Sequence, residues 1–597
     1  MNKPAVFSSF VKQIDRSRDF LRRSLGGHGY LILGGILVGI ITALAAAVLK
    51  NLVDLVRELP ERFFHVSNFR MLYLLLPVSG VLLTALIVWI FFRRKLEKGL
   101  GGLIFAISNK SSVLSKDKMY AHVLTSGVTV GLGGSAGLEA PIVLTGSAIG
   151  SNLAGYLGVG YKERTLLLAC GAASGISAIF GSPIAGVLFA LEVLLTDVTL
   201  PLFIPLLISS ATSSIISRML YSGQLFYLVT SEWYLDALPF YLLLGILSGL
   251  ISVYMTRAAL FTETFLDGRK SYWMKAILGG LTLGGLIFIF PQLFGEGYST
   301  ITDLLNGNYE KIEVNGLSPD IISNGWIIVI IATVLILIKP FAYAITIGSG
   351  GNGGIFAPSL FVGALAGFAL AFAMNLTGLK TLQISNFVAV GMAGIMSGVI
   401  HAPLTAIFLI AEITGGYMLF VPLMIVSATS YFISRYFEPY SFYTRKLANA
   451  GLLDPNDKDR NILNQLELSD LIEKDFIVLR KTDTIHQLIK AFRESNRNVF
   501  PVVDEQEAFV GIILLDDVKD WLLKPEESAG VQLDDLARKN ITTIDLSEDA
   551  ATAVSKFEKS DLWNLPVIRE GLYVGFISRS NMFSHYRRII KRSSSVA

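Results

Sequence analysis

Up to about residue 450 the chain alternates long uncharged apolar runs with short charged loops, and there the pattern changes. Gly29 to Leu49 carries no charge, nor does Met71 to Phe92, nor Thr165 to Leu191. Between Lys118 and Lys162 the only charge is Glu139. Further apolar blocks cover about 203–230, 237–256, 274–294, 325–338, 340–376 and 383–434. At about 20 residues per bilayer crossing, this pattern predicts ten or more helices. Several blocks are too long for one span, too short for two, and broken by Gly and Pro. GLGGSAGLEAPIVLTGSAIG (131–150) and GSGGNGGIFAPSLFVGALAG (348–367) are the clearest. Irregular backbone at membrane depth is tolerated only inside protein or beside a cavity, so these breaks mark where something polar is held.

From about 451, β-rich runs alternate with amphipathic helical segments such as TIHQLIKAFRESN (484–496), after a polar, turn-rich linker, LLDPNDKDRN (452–461). The expected organisation is an N-terminal segment 1–26, a membrane domain 27–447, a linker 448–464, two soluble units 465–525 and 526–591, and a tail 592–597 expected to fray.

Both parts repeat internally. GLEAPIVLTGSAIG (137–150) precedes GAASGISAIFGSPIAGVLFALEVL (171–194), and GGIFAPSLFVGALAG (353–367) precedes GMAGIMSGVIHAPLTAIFLIAEIT (391–414). Pro183 and Pro403 stand 220 positions apart, as do Glu192 and Glu412, and Pro141 and Pro358 stand 217 apart. Broken helices at matching places in two halves point to a transport site near the midplane. The bland alternative is that the small residues only let helices pack closely. In the second part, FPVVDEQEAFVGIILLDDVKDWL (500–522) is echoed by LPVIREGLYVGFISRSNMFSHY (565–586), two units too small to stand alone.

Composition agrees with a polytopic membrane protein. Of 597 residues, 52% are hydrophobic and 16% charged, against about 25% charged in an ordinary soluble domain. The net charge of +3 gives no reason to expect nucleic acid as a partner. The single cysteine, Cys170, excludes an intrachain disulfide and a cysteine metal cluster. The N-terminus does not read as a signal peptide. Lys12, Arg16, Arg18, Arg22 and Arg23 before the first apolar run place it in the cytoplasm, and Arg445 and Lys446 place the tail there too.

A Gly-rich break before a helix presents free backbone N–H groups at the positive end of the helix dipole, which suits anions. GLEAP and GGIFAP both read this way, so the expected ligand is an anion. A cation site would call for acidic partners, in which this part is poor. Glu139 lies inside the first break; charged, it would mimic the anion, and protonated, it would leave, giving control by pH. Glu192 and Glu412 end matching helices and read as structural. Lys339 is expected to snorkel, His401 to start a helix, and His122 to have no role. No nucleophile–base pair or metal cluster stands out, which argues against an enzyme and, with the shortage of acids, against a divalent-cation transporter.

These motifs, in this order, resemble the CLC family of chloride channels and chloride/proton antiporters over about residues 30–447, followed by two CBS domains to about 591. GLEAP (137–141) is similar to the family's GxEGP, with Ala140 for the second Gly. FGSPIAGVLFALE (180–192) and GGIFAP (353–358) match family segments, and FYT (442–444) falls where the family places its anion-coordinating tyrosine. The resemblance implies an all-α membrane domain of two inverted-topology repeats with broken helices, plus a C-terminal α/β CBS pair. It implies a homodimer in the cell membrane with one pore per subunit, carrying chloride and in some members protons. It makes Glu139 the gating glutamate. It assigns anion coordination to the backbone around Gly137, Leu138, Gly354, Ile355, Phe356 and Ala357, and part of an inner gate to Tyr443.

Two departures bear on mechanism. The family's GSGIP segment corresponds to GLGGL (99–103), so its anion-contacting Ser falls on Leu100, whose side chain cannot donate a hydrogen bond. Many antiporters of the family carry an internal glutamate at the position of Val193. This valine leans the reading towards a passive channel gated by Glu139, with chloride/proton antiport along a route that bypasses Val193 as the alternative. No cofactor is required. The CBS pair brings the possibility of an adenine nucleotide at Asp517 and Ser578, but GIILLDD (511–517) has Leu514 at the hydroxyl position and GFISRSN (575–581) has Asn581 at the acidic one.

Overall fold

The computed structural model describes residues 5–64, 72–93, 96–109, 112–195, 200–221, 231–269, 271–312, 314–315, 324–450, 463, 466–523 and 531–594. They form two units, Met1–Ala450 and Gly451–Ala597. The linker at 452–461 lies outside the described residues.

Among the described residues of the first unit, eight helices are long and apolar enough to cross a membrane, beginning with Arg22–Glu58 and ending with Phe356–Thr377. Three shorter apolar helices join them: Pro183–Leu194, Ile384–Ile400 and Pro403–Ile413. The overlong blocks of the sequence resolve at their Gly and Pro residues. The uncharged run from Thr165 becomes Tyr161–Phe180 and Pro183–Phe189, the second continued by a π-helical turn, Ala190–Leu194. The block 340–376 becomes the end of Gly325–Gly348 and most of Phe356–Thr377.

The two repeats use the same devices. Gly181 and His401 close their helices in the left-handed conformation, at φ 69° and 61°, and Pro183 and Pro403 open the next helices. His401 therefore ends Ile384–Ile400 rather than starting a helix, and its ring packs edge-on against Tyr431 at 5.7 Å. A Cβ on Gly146 would lie 2.2 Å from the Gly171 carbonyl oxygen, and one on Gly171 would lie 1.9 Å from that of Gly146. Gly363 and Gly391 repeat the contact at 2.4 and 2.3 Å. Small residues thus do set close helix packing, while the Gly–Pro breaks end the helices. Serines on the outer helix of each repeat add hydrogen bonds. Ser213 and Ser217 donate to the carbonyls of Ser174 and Ala178, and Ser430 and Ser434 to those of Gly394 and Gly398, all at 2.7–2.8 Å.

The second unit holds two three-stranded sheets of one design. In the first, Leu479–Arg480 runs parallel to Val499–Val503, which pairs antiparallel with Phe509–Leu514. In the second, Ile544–Asp545, Asn564–Arg569 and Leu572–Ser578 do the same. At equivalent positions an incoming segment bridges the last strand, Arg538 on Ile512 and Glu473 on Phe576. A Cβ on Gly511 would sit 2.5 Å from the Arg538 carbonyl oxygen, and one on Gly575 2.7 Å from that of Glu473, which explains the repeated glycine. The final helix, Arg579–Ser594, includes the first half of the tail expected to fray.

Candidate functional site

The two Gly-rich breaks meet. The Gly137 N–H donates to the Gly354 carbonyl at 2.9 Å and the Gly354 N–H returns a bond to Gly137 at 2.8 Å. This reciprocal pair sets the starts of Glu139–Leu157 and Phe356–Thr377 beside each other, with Leu138 and Ile355 as their N-caps. A Cβ at Gly354 would fall 2.8 Å from that of Ala140, so the approach needs glycine. At Gly137 a Cβ would fall 2.0 Å from Glu139 Oε2, so glycine also makes room for the carboxyl group.

Glu139 occupies the junction and is 1% exposed. The Tyr298 hydroxyl donates to Oε1, and the backbone amides of Glu139 and Ala357 face the carboxyl group. Oε2 is buried with no hydrogen-bond partner among the described residues. Aromatic rings wall the space: Phe180 lies 5.3 Å from Phe356 and 6.5 Å from Tyr298, and Phe189 lies 6.5 Å from Phe356. A carboxylate here sees helix N-termini from both repeats, the environment expected for an anion.

Lys339 does not snorkel. It lies 14 residues, about 20 Å, into Gly325–Gly348 and is fully buried among protein groups. Its Nζ donates to Ser135 Oγ at 2.8 Å and to the Gly295 carbonyl at 3.4 Å, and lies 4.7 Å from the Phe361 ring centre. The Lys339 amino group therefore stands behind the first break. His122 contacts Asn352 Nδ2 at 3.2 Å, and Asn352 also donates to Thr125 Oγ1 at 2.7 Å, tying the second break to the helix Lys118–Gly131.

Leu100 and Tyr443 come together, both buried, in a cavity of about 370 Å³. It is lined further by Lys98, Glu263, Asp267 and Lys446 and by the first turn of Gly101–Asn109. Glu139 is within Coulombic reach of the Tyr443 hydroxyl. The helix Phe442–Asn449 that carries Tyr443 is pinned by ion pairs of Glu438 with Arg257 and Arg445, and of Lys446 with Glu263.

Val193 is half-buried in the π-helical turn, beside Glu192. Glu192 accepts from the N–H groups of Leu404 and Thr405 at 3.0 and 2.7 Å and from the Thr405 hydroxyl at 2.6 Å. Glu412 accepts from the N–H groups of Ile184 and Ala185 at 3.0 and 2.9 Å. Each carboxylate caps the matching helix of the other repeat.

The two CBS candidates stand apart. Asp517 is engaged by Arg538 through bonds of 2.5 and 2.6 Å. Ser578 donates to Glu473 Oε1 at 2.6 Å, at the edge of a cavity of about 560 Å³ lined also by Arg497, Trp563, Asn581 and Ser584. Arg497 bonds Asp475 at 2.7 and 2.8 Å and holds that carboxyl below the usual carboxylate range.

Sequence reasoning missed Tyr298 and Asn352. Their partners lie 159 and 227 residues away, so neither carries a local mark in the sequence.

Two repeats joined at two broken helices, with a buried carboxyl group at their junction, and many apolar helices define an integral membrane protein. The chain belongs to the voltage-gated chloride channel (CLC) family: residues 80–435 match the family described as "Voltage gated chloride channel", and residues 468–524 and 533–588 each match the CBS domain. A putative chloride channel protein ClcB-like of Ralstonia nicotianae is 31% identical over 391 residues, covering 63% of this chain and 85% of that protein. The H(+)/Cl(-) exchange transporter ClcA of Vibrio cholerae is 31% identical over 314 residues, covering 50% and 62%. Chloride channel protein CLC-e of Arabidopsis thaliana is 28% identical, covering 66% and 58%. Two solved structures share the fold, both with a TM-score of 0.59. A slow cyanobacterial Cl-/H+ antiporter, 22% identical, covers 70% of this chain and 97% of its own. A eukaryotic CLC transporter, 18% identical, covers 92% and 97%.

Proposed function

We propose that this chain exchanges chloride for protons across the membrane, with the Glu139 carboxylate and chloride competing for one place and a proton on Glu139 deciding between them. The observation that carries this reading is the position of the Glu139 carboxyl, at the meeting point of two helix N-termini and facing the Ala357 amide. Charged, it fills the anion's place. Protonated, it loses its attraction to the amides, swings out, and leaves them to chloride. One carboxyl then carries a proton in one direction and admits an anion in the other.

Chloride would reach the junction from the cavity of Lys98, Tyr443 and Lys446. Leu100 offers no side-chain donor there, so the first N–H groups of Gly101–Asn109 take the anion instead. We place this cavity on the cytoplasmic side, with both termini, and the working unit as a homodimer. Relatives named H(+)/Cl(-) exchange transporters, at 29–31% identity, favour exchange over the passive channel to which Val193 leans. Glu263 and Asp267 in the inner cavity give protons carboxylates other than the one missing at Val193. Val193 supports the channel as the second reading. For the CBS pair we propose a structural role, supported by the commitment of Asp517 to Arg538 and of Ser578 to Glu473.

The test is purified protein in liposomes with chloride high inside, no pH gradient, and the potential clamped with valinomycin. Exchange predicts that chloride efflux drives protons inward and acidifies the lumen. Efflux with an unchanged lumenal pH would establish the channel.

A further inference from the structure

Glu296 is a second acid beside the junction, and nothing described so far uses it. It stands in the turn between Gly295 and Gly297, whose φ values are 64° and 87°, two residues before the tyrosine that holds Glu139. The turn is fixed against the first break. The Gly295 N–H donates to the Gly133 carbonyl at 3.4 Å, and Lys339 donates to the Gly295 carbonyl.

Glu296 lines a cavity of about 40 Å³ with Lys50, Asp54, Tyr221 and Leu138, the neighbour of Glu139. A water needs about 10–15 Å³ of such space, so the cavity has room for a short water file. Its polar walls are organised. Lys50 Nζ donates to the carbonyls of Ala178 and Ile179 at 3.0 and 2.9 Å and lies 4.8 Å from the Tyr221 ring centre. The Tyr221 hydroxyl donates to Asp54 at 2.9 Å. Lys50 is twenty residues, about 30 Å, along the first helix from Tyr30, so this cavity opens near the face opposite the N-terminal end of that helix.

The charged groups within Coulombic reach of Glu296 are Glu139, Arg57, Lys50 and Asp54, and Lys339, Tyr221 and Tyr298 lie within its reach in turn. A like charge beside a poorly solvated carboxyl group favours its protonated form. Arg57 and Lys50 offset part of the negative charge, and Asp54 adds to it.

We infer that Glu296 is the outer proton partner of Glu139: the two carboxyls exchange protons through the Lys50–Asp54 cavity, and the charge on Glu296 sets the outer pH at which Glu139 yields its seat to chloride. This rests on the reading of Glu139 as the gating carboxyl and holds for exchanger and channel alike. Neutralising Glu296 removes a like charge that favours a proton on Glu139, so opening then needs a more acidic outer solution.

The experiment measures chloride efflux from liposomes against outer pH, each profile normalised to its own maximum, for the wild type, Glu296→Gln, Glu139→Gln and the double variant. The expected result is an acid shift of the half-maximal point in Glu296→Gln by about one pH unit, a partial return in Glu296→Asp, and flat profiles for both variants lacking the Glu139 carboxyl. If Glu296→Gln does not fold, Glu296→Gly removes the same charge and is expected to give the same shift. Superimposed profiles for the wild type and the neutral Glu296 variant, beside a flat Glu139→Gln, would overturn the inference and leave the Glu139 reading standing. A wild-type pH dependence in Glu139→Gln would overturn both.

Discussion

Tyr298 and Gly137 do different work at one carboxyl group. Gly137 leaves the space that the Glu139 side chain fills, and the Tyr298 hydroxyl holds the group there. A hydrogen bond to a charged group contributes about 1.5–3 kcal/mol. Tyr298→Phe loses that donor, so the carboxyl leaves its seat more readily. Chloride flux is expected to turn on at a higher outer pH, by about one unit, the opposite sign to neutralising Glu296; an outer-pH titration of efflux checks it. Glu139 is legible in the sequence because it is a lone charge in a 43-residue stretch between two lysines. Tyr298 is not, because its partner lies 159 residues away and one tyrosine among 21 carries no local mark. Lys339 misleads for a related reason: an isolated lysine in an apolar run looks the same whether its helix faces lipid or protein, and only the packing of Gly325–Gly348 decides.

At the scale of elements, the repeats hold each other by exchanged caps. A helix that begins at membrane depth leaves N–H groups that water cannot reach. Glu412 serves Ile184 and Ala185, and Glu192 serves Leu404 and Thr405, so each repeat completes the other. Glu412→Ala is expected to lower stability by about 2 kcal/mol, read as an earlier thermal unfolding in detergent, with the pH dependence of efflux unchanged. A loss of pH dependence with unchanged stability would instead make Glu412 part of the proton path. The helix breaks are legible because Gly and Pro recur at a near-constant offset in both halves. The exchange of caps is not legible, because the 220-residue spacing shows only that Glu192 and Glu412 correspond and not that each reaches across to the other repeat. The π-helical turn at Ala190–Leu194 leaves no mark in the sequence either.

Across the membrane unit, two cavities of unequal size flank one junction. The larger, about 370 Å³, holds Lys98, Tyr443 and Lys446, and the smaller, about 40 Å³, holds Lys50, Asp54 and Glu296. The first has room for a hydrated anion and the second only for a few waters, so with the Glu139 carboxyl in place protons have the easier passage through the smaller one. Moving that carboxyl decides which ion occupies the junction, and the account therefore stands on one competition: carboxylate and halide take the same seat. The direct measurement is bromide located by anomalous diffraction in the wild type and in Glu139→Ala. The account predicts bromide within hydrogen-bond distance of the backbone amides of positions 139 and 357 in the variant, and the carboxylate alone at that place in the wild type. Bromide beside an unmoved carboxylate in the wild type, or no bromide at those amides in the variant, would contradict it.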